Sequence, residues 1–215
     1  MTASIHQQTA RLGLAMSSPV RLRALNLMAQ RPWRVSELAV ELGESIAATS
    51  AHLKVLRAAH MVEVMKSGRD VWCRVTAAEV LQLLSAAHRA AEFLLPELRE
   101  AKVAADDALL LKDFQLERIS SDVKNGRTIL VDLRPADEFA AGHLPGSQSL
   151  PYDSLSKAKV KPLKSGLPVI GYCRGPWCLK ARLGVEALNK LGVPAMLLPI
   201  GVVDWQAAGL TLDHN

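Results

Sequence analysis

The sequence predicts a multidomain α+β chain: a mainly α N-terminal part that ends in a β-hairpin, then an α/β part around a mainly parallel sheet. Three observations carry this. Apolar residues recur at helical spacing to about residue 105. Two period-two runs, 61–65 and 71–75, flank a polar, glycine-bearing turn at 66–70. Beyond that region, short apolar strands alternate with short helices.

The helical part reads in order. Residues 19–30 carry Val20, Leu22, Leu25, Leu27 and Met28 on a broad apolar face. Residues 35–42 form a short helix with Ser36 or Arg34 near its start, and Gly43 stops it. A second helix follows over 46–59, giving the order helix, glycine turn, helix. After the hairpin, 76–102 predicts one long helix with Leu81, Leu84, His88, Ala91, Leu95 and Leu98 along a stripe. Residues 106–117 read as a more polar connector, although Leu109, Leu110 and Leu111 suggest that it packs on a domain. The α/β pattern then runs 128–133, 136–141, 168–172, 179–191, 195–200 and 202–208, with a solvated basic loop at 157–164.

Bulk properties exclude several classes. The 215 residues, 49% hydrophobic and 22% charged, suit one large or two small domains with real cores. No run of 18 apolar residues is present, so no membrane partner is expected. Residues 1–16 lack the apolar core of a signal peptide, and three cysteines make no disulfide framework. A cytoplasmic location, where thiols stay reduced, is expected. Residues 11–74 hold ten Lys/Arg against five Asp/Glu, an excess equal to the formal +5 of the whole chain. Basicity concentrated in the helical part fits a nucleic-acid footprint.

The most reactive sequence is Cys173-Arg174-Gly175-Pro176-Trp177-Cys178, between a predicted strand and a predicted helix. A cysteine there meets unpaired backbone N–H groups and the positive helix end, and Arg174 adds charge. Such surroundings lower a thiol from about 8.5 to roughly 3.5–7.5, which builds a sulfur nucleophile at Cys173. Cys73, next to Trp72 on a hairpin strand, reads instead as a small buried hydrophobe.

Further motifs accompany the loop: Ile129-Leu130-Val131-Asp132-Leu133-Arg134, Glu138-Phe139, Gly142-His143-Leu144-Pro145-Gly146-Ser147 and Gly201-Val202-Val203-Asp204-Trp205. Together they resemble a rhodanese domain over about 119–212. The resemblance implies sulfurtransferase activity with a persulfide on Cys173, and makes Asp132, Arg134, Glu138 and His143 a structural signature. It implies no cofactor; the partners are a sulfur donor and acceptor thiols. Phosphatases and arsenate reductases on this fold need arginine six residues after the cysteine, and that position is Leu179. Loss of a bidentate oxyanion partner ranks sulfur transfer first. Cys178 departs from the family, and five residues from Cys173 it could resolve a persulfide as a disulfide.

The helix–turn–helix and hairpin, with Ser50, His52, Leu53, Lys54, Val55, Leu56 and Arg57, resemble the ArsR family of winged-helix repressors over about 8–100. That implies a homodimer on an inverted-repeat, double-stranded DNA operator, with half-sites about one helical turn apart (~10–10.5 bp). Ala48, Thr49, Ser50 and His52 would face base edges, Lys54 and Arg57 would meet phosphates or form intramolecular pairs, and Lys66 and Arg69 at the wing tip would meet phosphate or the minor groove. Many members bind metal through cysteines in the first helix of the motif. Residues 36–41 have none, and His88 with Glu92 are too few ligands, so no metal is expected. The expected domains are 1–105 for DNA binding and dimerisation, 106–118 as connector and 119–215 as the rhodanese-like part. The two parts together predict a regulator that couples reactive sulfur to transcription. The alternatives are a sulfurtransferase with sulfur-independent DNA binding and a repressor carrying a passive scaffold.

Overall fold

A computed structural model describes residues 2–104, 107–163, 165–175 and 178–214. The chain divides into two compact units, Met1–Leu84 and Ser85–Asn215.

The first unit opens with α1 (Thr2–Met16) and α2 (Pro19–Met28). Ser18 caps α2 by accepting from the Arg21 amide, and Pro19 sits at the first turn, where its missing N–H costs nothing. A short strand β1 (Trp33–Arg34) leads into α3 (Val35–Leu42), which ends on Gly43 at φ 73°, a left-handed stop. Ser45 caps α4 (Ile46–Ala58) through the Ala48 amide at 3.1 Å. Then β2 (Val62–Ser67) and β3 (Asp70–Val75) form the wing, and β1 completes an antiparallel sheet in the order β1-β3-β2. The Ser67–Asp70 pairing leaves a two-residue loop, tighter than the expected 66–70 turn, with Gly68 supplying the positive φ. Leu25, Leu38, Leu53, Leu56 and Met61 are buried at its centre. Each such side chain contributes roughly 1.5–3 kcal/mol by leaving water.

The helix after the wing differs from expectation. Instead of one helix over 76–102 there are two, α5 (Ala78–Leu94) and α6 (Pro96–Ala104). Proline at 96 biases Leu95 away from helical geometry and supplies no N–H, so the stripe breaks there.

In the second unit, α7 (Leu116–Lys124) precedes β4 (Ile129–Asp132) and α8 (Ala136–Ala141). Next come β5 (Gln148–Ser149), α9 (Lys157–Val160) and β6 (Val169–Tyr172), then α10 (Leu179–Lys190), β7 (Ala195–Leu197) and α11 (Val202–Ala207). The sheet is parallel in the order β5-β4-β6-β7. The expected basic loop at 157–164 is corrected over its described residues: α9 and a following 3-10 turn occupy 157–163, because Val160 and Leu163 are buried, and Lys164 lies outside the described residues. The 195–200 strand ends at Leu197. As expected, the 109–111 run packs: Leu110 bridges Leu197, and the Leu111 amide donates to the Leu197 carbonyl at 2.8 Å.

The central strands β4 and β6 are buried along their whole length or nearly so, and Asp132 pairs in register with Tyr172. Their C-terminal ends are therefore level, and the chain leaves β6 directly into Cys173 at the sheet edge where α/β folds gather ligands. Helix α10 lies close on this sheet because Gly184 has no side chain. A Cβ there would stand 2.8 Å from Leu133 Cδ1.

Candidate functional site

Cys173 follows β6 and is buried, whereas Cys178 occupies the N-cap of α10 and is half-buried. Both are free thiols, and their sulfurs lie 3.0 Å apart. The turn between them is closed by the Cys178 amide donating to the Gly175 carbonyl at 3.2 Å. Gly175 takes φ 145°, a conformation other residues rarely hold. Pro176 and Trp177 lie outside the described residues.

The electrostatics distribute the pair's protons in a way the sequence did not indicate. The Cys178 thiol is lowered to about 6, first by the hydrogen bond from Cys173, then by the Ala181 and Arg174 backbone amides and the Arg174 charge, against the cost of burial. The same hydrogen bond, followed by burial, raises Cys173. One proton is thus held on Cys173, facing a thiolate on Cys178. Strand–helix position pointed to Cys173 as the thiolate; the hydrogen bond between the two sulfurs, and after it the burial of Cys173, favour the thiolate on Cys178 instead.

Arg174, partly exposed, is held by a bidentate pair with Glu138: its Nε donates to both carboxylate oxygens at 3.0 Å and its Nη2 joins Oε1. Glu138 is itself buried on α8, so the loop is tied to the helix that follows β4. The other signature residues sit inside the fold. Arg134 and Asp132 are fully buried and paired, with Nη2 donating to Oδ2 at 2.6 Å and to the Gly142 carbonyl at 2.7 Å. His143 Nδ1 meets the Phe139 carbonyl at 2.9 Å, and the two rings stack with centroids 3.8 Å apart. Sequence reasoning missed Tyr172, whose hydroxyl accepts from the Leu144 amide and meets Ser147 Oγ, both at 3.0 Å; burial raises its pKa. Its place at a fully buried strand end was the available signal.

Gly201 was quoted in the sequence motif without a role. A Cβ at Gly201 would lie 2.6 Å from the Arg174 carbonyl carbon and 2.7 Å from the Cys173 oxygen. The turn into α11 therefore presses on the backbone of the cysteine loop. Asp204 Oδ2 accepts the Gly201 amide at 3.1 Å and closes that turn.

In the first unit, α3, α4 and the wing enclose a groove of about 730 Å³ lined in part by Ser36, Ser50, Lys54, Arg57 and Arg69. Lys54, Arg57, Lys66 and Arg69 are exposed and meet no acidic partner among the described residues, so their charge is available. Ala48 and His52 are half-buried and Ser50 is exposed on α4. Thr49 corrects an expectation. It is fully buried with its hydroxyl unpartnered among the described residues, because it lies on the core side of α4 with Leu53 and Leu56. Cys73 is buried, donates to the Trp33 carbonyl at 3.4 Å, and is pushed up to about 12 by burial.

Two protein families account for these units. The bacterial regulatory protein family arsR matches residues 18–64, and the rhodanese-like domain family matches residues 115–208. Over 215 residues the chain is 30% identical to an HTH-type transcriptional regulator of Mycobacterium tuberculosis, covering 99% of this chain and 93% of the relative. The chain belongs to the ArsR family of transcriptional regulators and carries a rhodanese-like domain. Among solved structures, the homodimeric winged helix-turn-helix DNA-binding domain of a Mycobacterium bovis protein is 28% identical. It matches 44% of this chain and 88% of its own, at a TM-score of 0.42. NolR from Sinorhizobium fredii is 26% identical over 43% of this chain and 90% of its own, at a TM-score of 0.39.

Proposed function

We propose that the chain is a homodimeric, cytoplasmic repressor whose rhodanese-like domain forms a persulfide on Cys173 and so couples reactive sulfur to transcription. The observation that carries this reading is the 3.0 Å approach of the Cys173 and Cys178 sulfurs beside a helix N-terminus. A passive scaffold has no use for a thiolate lowered to about 6. For the DNA-binding half, the support is the set of unpaired cations around the α4–wing groove. For the dimer, Ile5 and Leu14 on α1, 59% and 67% exposed, and Phe93 and Leu94 on α5, 75% and 67% exposed, are apolar surfaces that a second copy would cover.

The chemistry runs in two steps. As Cys173 attacks the outer sulfur of thiosulfate, its proton passes to the Cys178 thiolate. A new S–S bond forms on Cys173, the donor S–S bond breaks, and sulfite leaves with the electron pair. A low-molecular-weight persulfide donor would release its thiolate instead. The persulfide charge is met by the loop amides and the start of α10. Cys178, once deprotonated again, can attack Cys173 Sγ in the protonated persulfide. The Cys173–Cys178 disulfide forms, hydrosulfide departs, the outer sulfur is reduced by two electrons and the two thiols are oxidised. Two equivalents of an external thiol return the pair to its reduced state.

Intact mass spectrometry after thiosulfate or polysulfide treatment tests this, with Cys173→Ser and Cys178→Ser alongside. A one-sulfur gain that disappears in Cys173→Ser is the expected result. A loss of two hydrogens that needs both cysteines identifies the resolving step. Loading without any change in DNA affinity would leave a sulfurtransferase with sulfur-independent DNA binding. No mass change with any donor would leave a repressor with a passive rhodanese scaffold.

A further inference from the structure

Within the second unit, a partly buried polar cluster adjoins the cysteine loop and has no part in the chemistry above. Ser85, on α5, is fully buried, and its hydroxyl donates to Asp204 Oδ1 at 2.7 Å. Arg89, one turn further along α5, donates from Nη1 to the Ser85 oxygen at 2.7 Å. The second carboxylate oxygen of Asp204 accepts the Gly201 amide. His88 lies on the same helix; burial lowers its pKa, with the Asp204 charge opposing.

Each carboxylate oxygen of Asp204 therefore faces a different structure. One holds helix α5, and the other holds the turn that presses on the Cys173 and Arg174 backbone. A buried serine hydroxyl and a carboxylate are costly to leave unpaired, so these bonds are retained or exchanged together. A change in loop shape at Cys173 that carries these carbonyl groups toward Gly201 meets no free space. The displacement has to be taken up by the Gly201 turn, and from there by the carboxylate that grips Ser85. Helix α5 begins at Ala78, three residues after the wing strand β3 ends at Val75.

We infer that Asp204, gripped by Ser85, which Arg89 holds in turn, is a positioning residue that transmits the state of the cysteine loop to helix α5 and thereby to DNA affinity. The inference rests on the reading that sulfur loading of Cys173 changes DNA binding, and names the path by which it does so.

The test compares wild type, Ser85→Ala and the near-isosteric Asp204→Asn, all as full-length protein. The DNA is a duplex selected from a random library by the reduced wild-type protein, and the sulfur source is inorganic polysulfide. Sulfur loading is read by mass, operator affinity by titration, and the state of α5 by amide hydrogen exchange over residues 86–94. Wild type is expected to change affinity about tenfold on loading, within the usual span of allosteric couplings. Both variants should load one sulfur as wild type does, yet shift affinity by less than about twofold and show no exchange change in α5. Variants that load and respond like wild type would overturn the inference. A wild-type protein that loads sulfur without any DNA response would instead remove the reading beneath it, so the two failures are told apart.

Discussion

At the scale of single residues, the proton between Cys173 and Cys178 decides which sulfur reacts first. With Cys178 lowered to about 6 and Cys173 raised, limiting iodoacetamide at pH 7 should label Cys178. The thiolate exists above its pKa, so labelling should fade as pH falls through about 6. Cys173→Ser removes the strong donor and should move that midpoint upward; a midpoint that stays put would refute the shared-proton account. The sequence made the loop legible, because a six-residue segment from cysteine to cysteine between strand and helix has few other uses. It did not make the proton legible, since that depends on burial and on a 3.0 Å contact that spacing does not encode. Thr49 fails for the same reason: its side belongs to the rotation of α4, which two Ala neighbours leave undefined in the sequence. A separate prediction concerns the fully buried Arg134–Asp132 pair. Asp132→Asn strands a buried guanidinium and should cost about 3–5 kcal/mol in urea unfolding, whereas replacing both residues with apolar ones of similar volume should cost far less.

At the scale of elements, the α11 turn holds the tightest glycine among the described residues of the second unit. Gly201→Ala would place a methyl 2.6 Å from backbone that has no flexible end to yield. A destabilisation of about 1–3 kcal/mol is expected, together with loss of sulfur loading, because the displaced backbone is that of Cys173 itself. Thermal melting and intact mass measure the two effects; a fully loading Gly201→Ala protein would show that the loop tolerates the shift. Element existence was largely readable: α3, α4, the wing, β4, α8, β6, α10 and α11 follow periodicity and glycine stops. The misses have physical causes. Helix α7 starts inside the 106–118 stretch that reads as a polar connector, although Leu116, Ile119 and Val123 recur at helical spacing along it. Strand β5 is two exposed residues long and held by backbone pairing to β4, which leaves no side-chain pattern to find. The split of α5 from α6 needed Pro96 to outweigh a continuous apolar stripe.

At the scale of the whole molecule, charge is the property that belongs to neither residue nor element. The excess of cations in residues 11–74 equals that of the entire chain, and Lys54, Arg57, Lys66 and Arg69 hold theirs unpaired among the described residues. DNA affinity should therefore fall steeply with salt. Lys66→Ala, at the wing, should weaken binding about equally for all sequences and lower the salt slope by about one. Fluorescence anisotropy across a sodium chloride series reads this directly, and an unchanged slope would take Lys66 off the DNA. Cys73 has a consequence at the same scale. Buried on the wing strand β3 and pushed up to about 12, it should be invisible to thiol reagents in the folded protein and visible once the chain is denatured. The molecule thus carries its own reference mark: the native count of reactive thiols reports the loop alone, and the denatured count, set against it, separates sulfur chemistry at the loop from general oxidative damage.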